Sequence, residues 1–513
     1  MTAADTSIRD PFDDLNGRSV AGHCPWPRMQ VDTDTWTKAA DLLSHGALTL
    51  VGLWGEPQAV HMAIANAKNP SRLLVLSISC PDGLYPSIGR VHPPAIRLER
   101  AIIDLFQLTP IGLPDTRVWL DHGNWGIGVP LAAKRNDARP AEEYGFLPVD
   151  GENVHQLPVG PVHAGIIEPG HFRISADGET VVRLEERLGY THKGIEGLLQ
   201  GADLKRAARL ACRCSGDSTV AYGLAFARAV ELALDWAPPE RAVWLRALMA
   251  ELERLANHLG DVGAICNDGG FAIMLTHCSV LREQVLREAF ASFGHRLMMD
   301  RIVPGGVTTD IDPAGPAGIT ALVANIRGRF QRLIELYDTT ASLQDRTVGT
   351  GVLRVELAKQ FAAGGFVGRA SGRRYDARRQ PGYAPYDVLD FDIPVLEEGD
   401  VNARLWIRVR EVEQSIRLIE QIIVGLPAGP IQSAQAGPNT HTSREGMAIV
   451  EGFRGDILAW VRIGTDGRVT RCHLRDPSWF QWPLLEAAIE GNIVADFPIC
   501  NKSFNCSYSG HDL

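Results

Sequence analysis

The 513-residue sequence predicts an α+β protein, with a small α/β domain ahead of a larger, mainly helical domain that opens with a β-hairpin. Three observations carry this reading. Short apolar runs accompany a single amphipathic helix in the first 125 residues, a stretch dense in proline, glycine and charge follows at 126–158, and five long segments beyond it repeat apolar residues at helical spacing. The length also calls for more than one core, since domains run to roughly 100–200 residues.

Taken in order, ALTLVGLW and RLLVLSI read as strands, and IRLERAIIDLFQL as a helix, which makes residues 1–125 an α/β domain. Residues 126–158 lack periodicity and read as a linker. The domain 159–513 begins with HFRISADGETVVRLEER, an alternating pattern around an Asp-Gly-Glu turn near Asp177. Segments 202–235, 239–261, 276–300, 316–343 and 401–425 are expected helices, and the tail 447–513 reads as strands and turns. Between the helices, glycine- and arginine-dense stretches at 346–353 and 368–387 read as loops over a functional surface. An arginine run such as 369–379 is ordinarily a solvated basic face.

Composition excludes several classes. With 45% hydrophobic and 22% charged residues the chain is a folded globular protein, and 51 basic against 61 acidic residues give no general attraction to nucleic acid or anionic lipid. No apolar run reaches the roughly 20 residues that span a bilayer, and the opening MTAADTSIRDPFDDLNG lacks the apolar stretch of a secretory signal. Nine cysteines in such a chain point to reduced thiols in the cytoplasm. Cys212 and Cys214 form a C-x-C and Cys500 and Cys506 a C-x5-C, neither of them the C-x-x-C usual for metal sites.

Six stretches carry more specific information: GPVHAGIIEPGHFRISADGE at 160–179, LGYTHKGIEGLL at 188–199, AELERLANHLGDVG at 250–263, GHRLMMDRIVPGGV at 294–307, VGRASGRRYDARRQPGYAPYD at 367–387 and GNIVADFPICNKSF at 491–504. In this order they resemble the large subunit of membrane-bound [NiFe] hydrogenases of the hydrogenase-4 and formate hydrogenlyase type, and the related large hydrophilic subunit of respiratory complex I. In the first domain, ERAIIDLF at 99–106 and GLPDTRVWLDHG at 112–123 are similar to the smaller hydrophilic subunit of complex I, which hydrogenase-4 type proteins carry fused in front. Gln107 and Leu113 depart from that pattern, where glycine and a histidine-bearing segment are usual.

The resemblance implies a metal pair held by thiolates of two C-x-x-C motifs, a soft donor set that hydroxyls do not replace. Here the early motif R-x-C-G-x-C falls on Arg213, Cys214, Ser215, Gly216, Asp217 and Ser218, and the histidine that usually follows falls on Tyr222. The late motif D-P-C-x-x-C falls on Asn505 to Gly510, with its ligand positions on Ser507 and Gly510. A nickel–iron centre is therefore not expected. A shifted thiolate set of Cys212, Cys214, Cys500 and Cys506 remains an alternative. Complex I turns this cavity into a quinone site using a tyrosine and a histidine, but the tyrosine position falls on or beside Gly216, and EPGHFR at 168–173 follows the hydrogenase spelling.

What remains is a titratable set, with His163, Glu168, His171, Arg213, Asp217 and Tyr222 as catalytic candidates, Ser215, Ser218 and Ser507 at the lost ligand positions, and His511 beside them. Glu168 borders the position of the hydrogenase proton-carrying glutamate. His163 and His171 read equally as functional donors or as structural histidines bonded to backbone carbonyls. A buried Asp217 needs a cation, for which Arg213 is the candidate. The resemblance further implies a small iron–sulfur partner subunit, antiporter-like membrane subunits, further hydrophilic redox subunits and attachment to the inner face of the cell membrane through them. It implies electron input from NAD(P)H or ferredoxin through the complex, and an acceptor such as quinone. A hydrogenase with displaced ligands and a non-redox adaptor are the competing readings.

Overall fold

A computed structural model describes residues 10–134, 137–141, 143–163, 167–433 and 442–513. Readings that touch 1–9, parts of the linker and Ala164, Gly165 and Ile166 of the first motif lie outside the described residues. The chain divides into two compact units, Met1–Glu143 and Tyr144–Leu513.

The smaller unit is built on a sheet of β1 (Arg18–Val20), β2 (Arg28–Val31), β3 (Leu48–Glu56), β4 (Ala59–Asn66) and β5 (Leu73–Ser79). Its order is β1-β2-β5-β4-β3, and only β2 and β5 run parallel. Helices α1 (Thr33–Ser44), capped by Asp32 accepting from the Thr35 amide, and α2 (Ile96–Phe106) accompany the sheet. The two motif stretches of this unit hold each other. Arg100 donates to Asp115 at 2.9 Å, and Asp104 accepts from the Trp119 and Leu120 amides at 2.8 Å. Gln107 ends α2 in the left-handed region at φ 60°, which explains why glycine is usual there.

The larger unit opens with a three-stranded antiparallel sheet, β6 (Val154–Val159), β7 (His171–Asp177) and β8 (Thr180–Arg187), with β7 central. The expected hairpin is present, but the linker reading of 126–158 fails at its end, where most of β6 forms from VHQLPV. Pro158 hid that strand, and it is tolerated because β6 lies at the sheet edge. The start of the unit also packs down, with Arg187 over the Tyr144 ring and Arg173 over the Phe146 ring, both at 4.5 Å.

The expected helix 202–235 is broken into α3 (Leu204–Ala211) and α4 (Thr219–Leu234) by the sequence CRCSGDS. Serine, glycine and aspartate bond locally and favour turns over helix interiors, and Gly216–Ser218 forms a single 3-10 turn. Long helices follow: α5 (Glu240–Asp268), α6 (Ala272–Phe293), α7 (Gly315–Thr339) and α8 (Val401–Gly425). A second antiparallel sheet, β9 (Arg444–Gly452), β10 (Gly455–Ile463) and β11 (Val469–Arg475), packs on α4. Leu245, Leu248, Leu252, Leu255 and Leu259 of α5 lie fully buried in the shared core, each contributing about 1.5–3 kcal/mol by leaving water. Beyond β11 the tail is helical rather than extended: α9 (Ser478–Ile489), α10 (Phe497–Phe504) and α11 (Tyr508–Asp512). Helix α9 is buried almost all round, so its sequence shows no amphipathic period to read.

Candidate functional site

The break between α3 and α4, the tip of the β9–β10 hairpin and the start of α11 meet in one polar cluster. Ser215 Oγ donates to Asp217 Oδ1 at 2.7 Å and lies 3.1 Å from Ser507 Oγ. Ser218 Oγ reaches Asp217 at 3.3 Å. Arg454, at the hairpin tip, donates through Nη1 and Nη2 to the two Asp217 carboxylate oxygens at 2.8 and 2.6 Å, and through Nε to the Asn505 carbonyl. Burial raises the Asp217 carboxyl, but this paired guanidinium and the two serine hydroxyls bring it down to about 2. Ser507 also caps α11 by accepting from the Gly510 amide at 2.9 Å.

The predicted partner of Asp217 is thus corrected. Arg213 is exposed and pairs with Asp300, donating to Oδ2 at 2.8 Å, because the turn at 212–218 directs it away from Asp217. The arginine run is also misread as a solvated face. Arg369 and Arg378 are buried, Arg369 bonded to Glu411 and to Glu451 at 2.9 Å, and Arg378 to Glu251 at 3.0 Å and Asp376 at 2.6 Å. Sequence reasoning missed Arg454, which lies far from Asp217 along the chain. The signal for Arg454 was the cost of leaving a carboxylate such as Asp217 without a cation.

Tyr222, fully buried on the first turn of α4, donates its hydroxyl to Asp476 at 2.6 Å. His163 Nε2 donates to the Gly170 carbonyl at 2.7 Å and His171 Nδ1 reaches the Gly160 carbonyl at 3.3 Å, so both rings are tied to backbone. Burial, the largest influence, lowers the His171 imidazole, with Arg173 and His163 adding to it. Gly160 sits at φ 83°, and a Cβ there would come within 2.3 Å of the Gly170 carbonyl, so only glycine lets the loop close on the histidines. Glu168 is exposed and accepts from the Ser509 amide at 3.0 Å. His511 is buried, stacks on Trp479 at 4.0 Å and bonds Asp512 at 2.8 Å.

A nickel–iron pair does not fit this donor set. Hydroxyls and a guanidinium-paired carboxylate stand where thiolates are needed. At Gly510 even a Cβ would lie 2.4 Å from Asp476 Oδ2 and 2.8 Å from Ser507 Oγ, leaving no room for a cysteine side chain. Nor does the shifted thiolate set assemble: among the described residues no group of three or more His, Cys, Asp or Glu is placed to hold a metal ion. Burial pushes the Cys212 and Cys500 thiols up to about 11 and the Cys214 thiol well above its ordinary value, which opposes thiolate ligation.

Beside the cluster lies a cleft lined by His163, Ile167, Phe172, Asp268, Asn501, Lys502 and Tyr508, among others. Its walls are amphipathic, with aromatic Phe172 and Tyr508 accompanied by a lysine, an aspartate and an amide. Burial pushes the Asp268 carboxyl up against the pull of Lys502. Asn505, whose carbonyl accepts from Arg454, lines this cleft together with Cys506 and Tyr508 on either side of Ser507 in the chain, so the cleft adjoins the hydroxyl cluster.

The sequence signature of the respiratory-chain NADH dehydrogenase 49 kDa subunit matches residues 268–444. Formate hydrogenlyase subunit 5 of Escherichia coli is 31% identical over 438 residues, covering 83% of this chain and 77% of its own length. An NADH-quinone oxidoreductase subunit of Dehalococcoides mccartyi is 31% identical over 342 residues, covering 66% of this chain and 93% of its own. Among solved structures, a chain of the membrane-bound sulfane sulfur reductase, an archaeal respiratory membrane complex, superposes with a TM-score of 0.66 at 27% identity, covering 72% of this chain and 100% of that one. No helix among the described residues is long and apolar enough to cross a membrane. The chain belongs to the family that unites the large subunits of membrane-bound hydrogenases with the respiratory-chain NADH dehydrogenase 49 kDa subunit.

Proposed function

We propose that this chain is the large subunit of a membrane-associated, hydrogenase-4 and complex I-like oxidoreductase that has exchanged metal chemistry for reduction of an organic acceptor such as a quinone. The observation that carries this is the Asp217–Arg454 pair with Ser215, Ser218 and Ser507 at the former ligand positions, next to an amphipathic cleft. Electrons from NAD(P)H or ferredoxin reach the acceptor through an iron–sulfur small subunit and other hydrophilic redox subunits, and antiporter-like membrane subunits use the released energy. The first 143 residues serve as the fused counterpart of complex I's smaller hydrophilic subunit.

In the cleft, Phe172 and Tyr508 offer aromatic walls to a flat ring, and the Lys502 ammonium lies where it stabilises charge building on a reduced oxygen. The chain's own part of the chemistry is binding, orientation and proton supply. The test is to purify the tagged chain from native membranes in mild detergent, identify the co-purifying subunits by mass spectrometry, and assay quinone reduction with Lys502→Met alongside. Co-purified iron–sulfur and antiporter-like subunits, with a raised KM for quinone in the variant, are the expected result. A chain that emerges alone, or a complex with no acceptor activity, overturns the reading and leaves the adaptor role.

A further inference from the structure

A second, narrow cleft reaches the polar cluster from another side, lined by Gly216, Asp217, Glu253, Asn257, Arg282 and Arg296, among others. Glu253 comes from the middle of α5 and is 7% exposed. Its oxygens accept from the Val220 amide at 2.7 Å and the Ala221 amide at 3.1 Å, at the start of α4. Among the described residues these two backbone amides are its hydrogen-bond donors, and no side-chain cation bonds it. One cleft therefore holds two carboxyls in opposite states. Asp217 is kept ionised by Arg454, while burial pushes Glu253 up to about 8. Paired titratable groups driven apart in this way are the mark of an acid and a fixed charge sharing a task.

We propose that Glu253 is the proton-loading group of this protein, taking protons from solvent through the Gly216–Arg296 cleft and passing them by way of the Ser215 and Ser507 hydroxyls to the acceptor cleft. The proposal rests on the reading that an acceptor is reduced there. Each electron pair delivered by the iron–sulfur partner to a quinone is matched by two protons, which the Glu253 carboxyl supplies in two successive rounds. In each round the proton leaves the Glu253 carboxyl, the O–H bond breaking there and forming on the reduced quinone oxygen, and solvent reprotonates the carboxylate. The cleft that Glu253 and Asp217 both line has room for one water molecule to connect them. From there Asp217 Oδ1, Ser215 Oγ and Ser507 Oγ are spaced 2.7 and 3.1 Å apart. Gly216 is exposed at the turn, and a Cβ added there meets nothing within 4 Å, so solvent has access. The charges facing Glu253 are Asp217 from the turn, Arg254 on its own helix, and Arg282 and Arg296 from α6 and the loop after it.

The test uses the intact detergent-solubilised complex and two readouts. Infrared titration of the carboxyl region is expected to show a protonated carboxyl that ionises near pH 8 and is missing from Glu253→Gln, whatever the acceptor proves to be. Quinone reduction by Glu253→Gln is expected to fall about tenfold and to lose the alkaline limb of its pH profile, with Glu253→Asp restoring part of the rate at a shifted pH. If Glu253→Gln does not assemble, Glu253→Asp alone carries the test through that shift. A pH profile unchanged in either variant, or an infrared signal identical in wild type and variants, overturns the proposal. Absence of quinone turnover with the infrared signal intact instead strikes the acceptor reading and leaves the titrating carboxyl standing.

Discussion

Arg369 and Arg454 are both arginines held by carboxylates in the larger unit, and they differ in what surrounds them. Arg369 is 1% exposed, fixed between Glu411 and Glu451, with Arg378, Glu251, Asp376 and His258 completing a network closed to solvent. Arg454 is also buried, but its partner Asp217 is 35% exposed and borders a cleft, with serine hydroxyls at bonding distance on either side. The same ion-pair chemistry acts as scaffold in the first place and as an accessible polar site in the second. The difference lies in whether a carboxylate oxygen is left facing water and hydroxyls. Charges locked into a complete network have no freedom to move protons, whereas Asp217 keeps an ionised oxygen beside hydroxyls that have it.

Four predictions sharpen this contrast, ranked by their effect on stability. Replacing Arg369 by Met strands two buried carboxylates and is expected to cost about 3–5 kcal/mol, read as loss of assembled complex or a large fall in the denaturation midpoint. A small fall, under about 1 kcal/mol, would show that the network is not a scaffold.

The second concerns pH. Glu253 has its carboxyl raised from 4.5 to about 8 in the fold, so the native state keeps a proton that the unfolded chain releases. Its contribution is complete below pH 4.5 and is lost as pH rises toward 8, by at most about 1.4 kcal/mol per pH unit. Melting curves across that window are expected to converge on, and then drop below, those of Glu253→Gln, and parallel curves would contradict the assignment.

Third, Arg454→Met is expected to cost only about 1 kcal/mol, because water screens the partly exposed Asp217. Turnover, however, should fall by about tenfold, the equivalent of roughly 1.4 kcal/mol on the barrier. Equal losses of stability in Arg454→Met and Arg369→Met would erase the distinction between the two assemblies. Fourth, Glu168→Gln removes a charge from an exposed side chain whose one oxygen accepts from the Ser509 amide, a bond that glutamine can keep. Its stability is expected to stay within about 0.5 kcal/mol of wild type, and a strong loss of turnover would restore Glu168 as the principal proton carrier.

Much of the fold was legible because it rests on local rules. The hairpin around Gly178 and the long helices announce themselves through periodicity, and α8 runs over the span 401–425 expected of it. Where burial is total or a proline intervenes, as in α9 and β6, the periodic signal disappears and the expectation fails. The site was legible in part. Ser215, Asp217, Ser218 and Ser507 do come together, as the resemblance of their two stretches to the family's ligand motifs implies. The arginine that neutralises Asp217 was not, since it lies 237 residues away on a hairpin tip with no motif around it, and only the pairing of β9 with β10 brings it in. Glu253 was hidden for a related reason. Inside AELERLANHLGDVG it reads as a helical surface charge, and its burial follows from the break in the preceding helix that exposes the Val220 and Ala221 amides.

On the proposed function, a polar cluster stands in the place of a nickel–iron centre. The most direct measurement is metal analysis of the purified native complex, paired with an assay of hydrogen uptake. Iron from partner subunits, nickel far below one atom per chain and no hydrogen uptake while quinone is reduced are the expected result. Stoichiometric nickel with hydrogen uptake would contradict it.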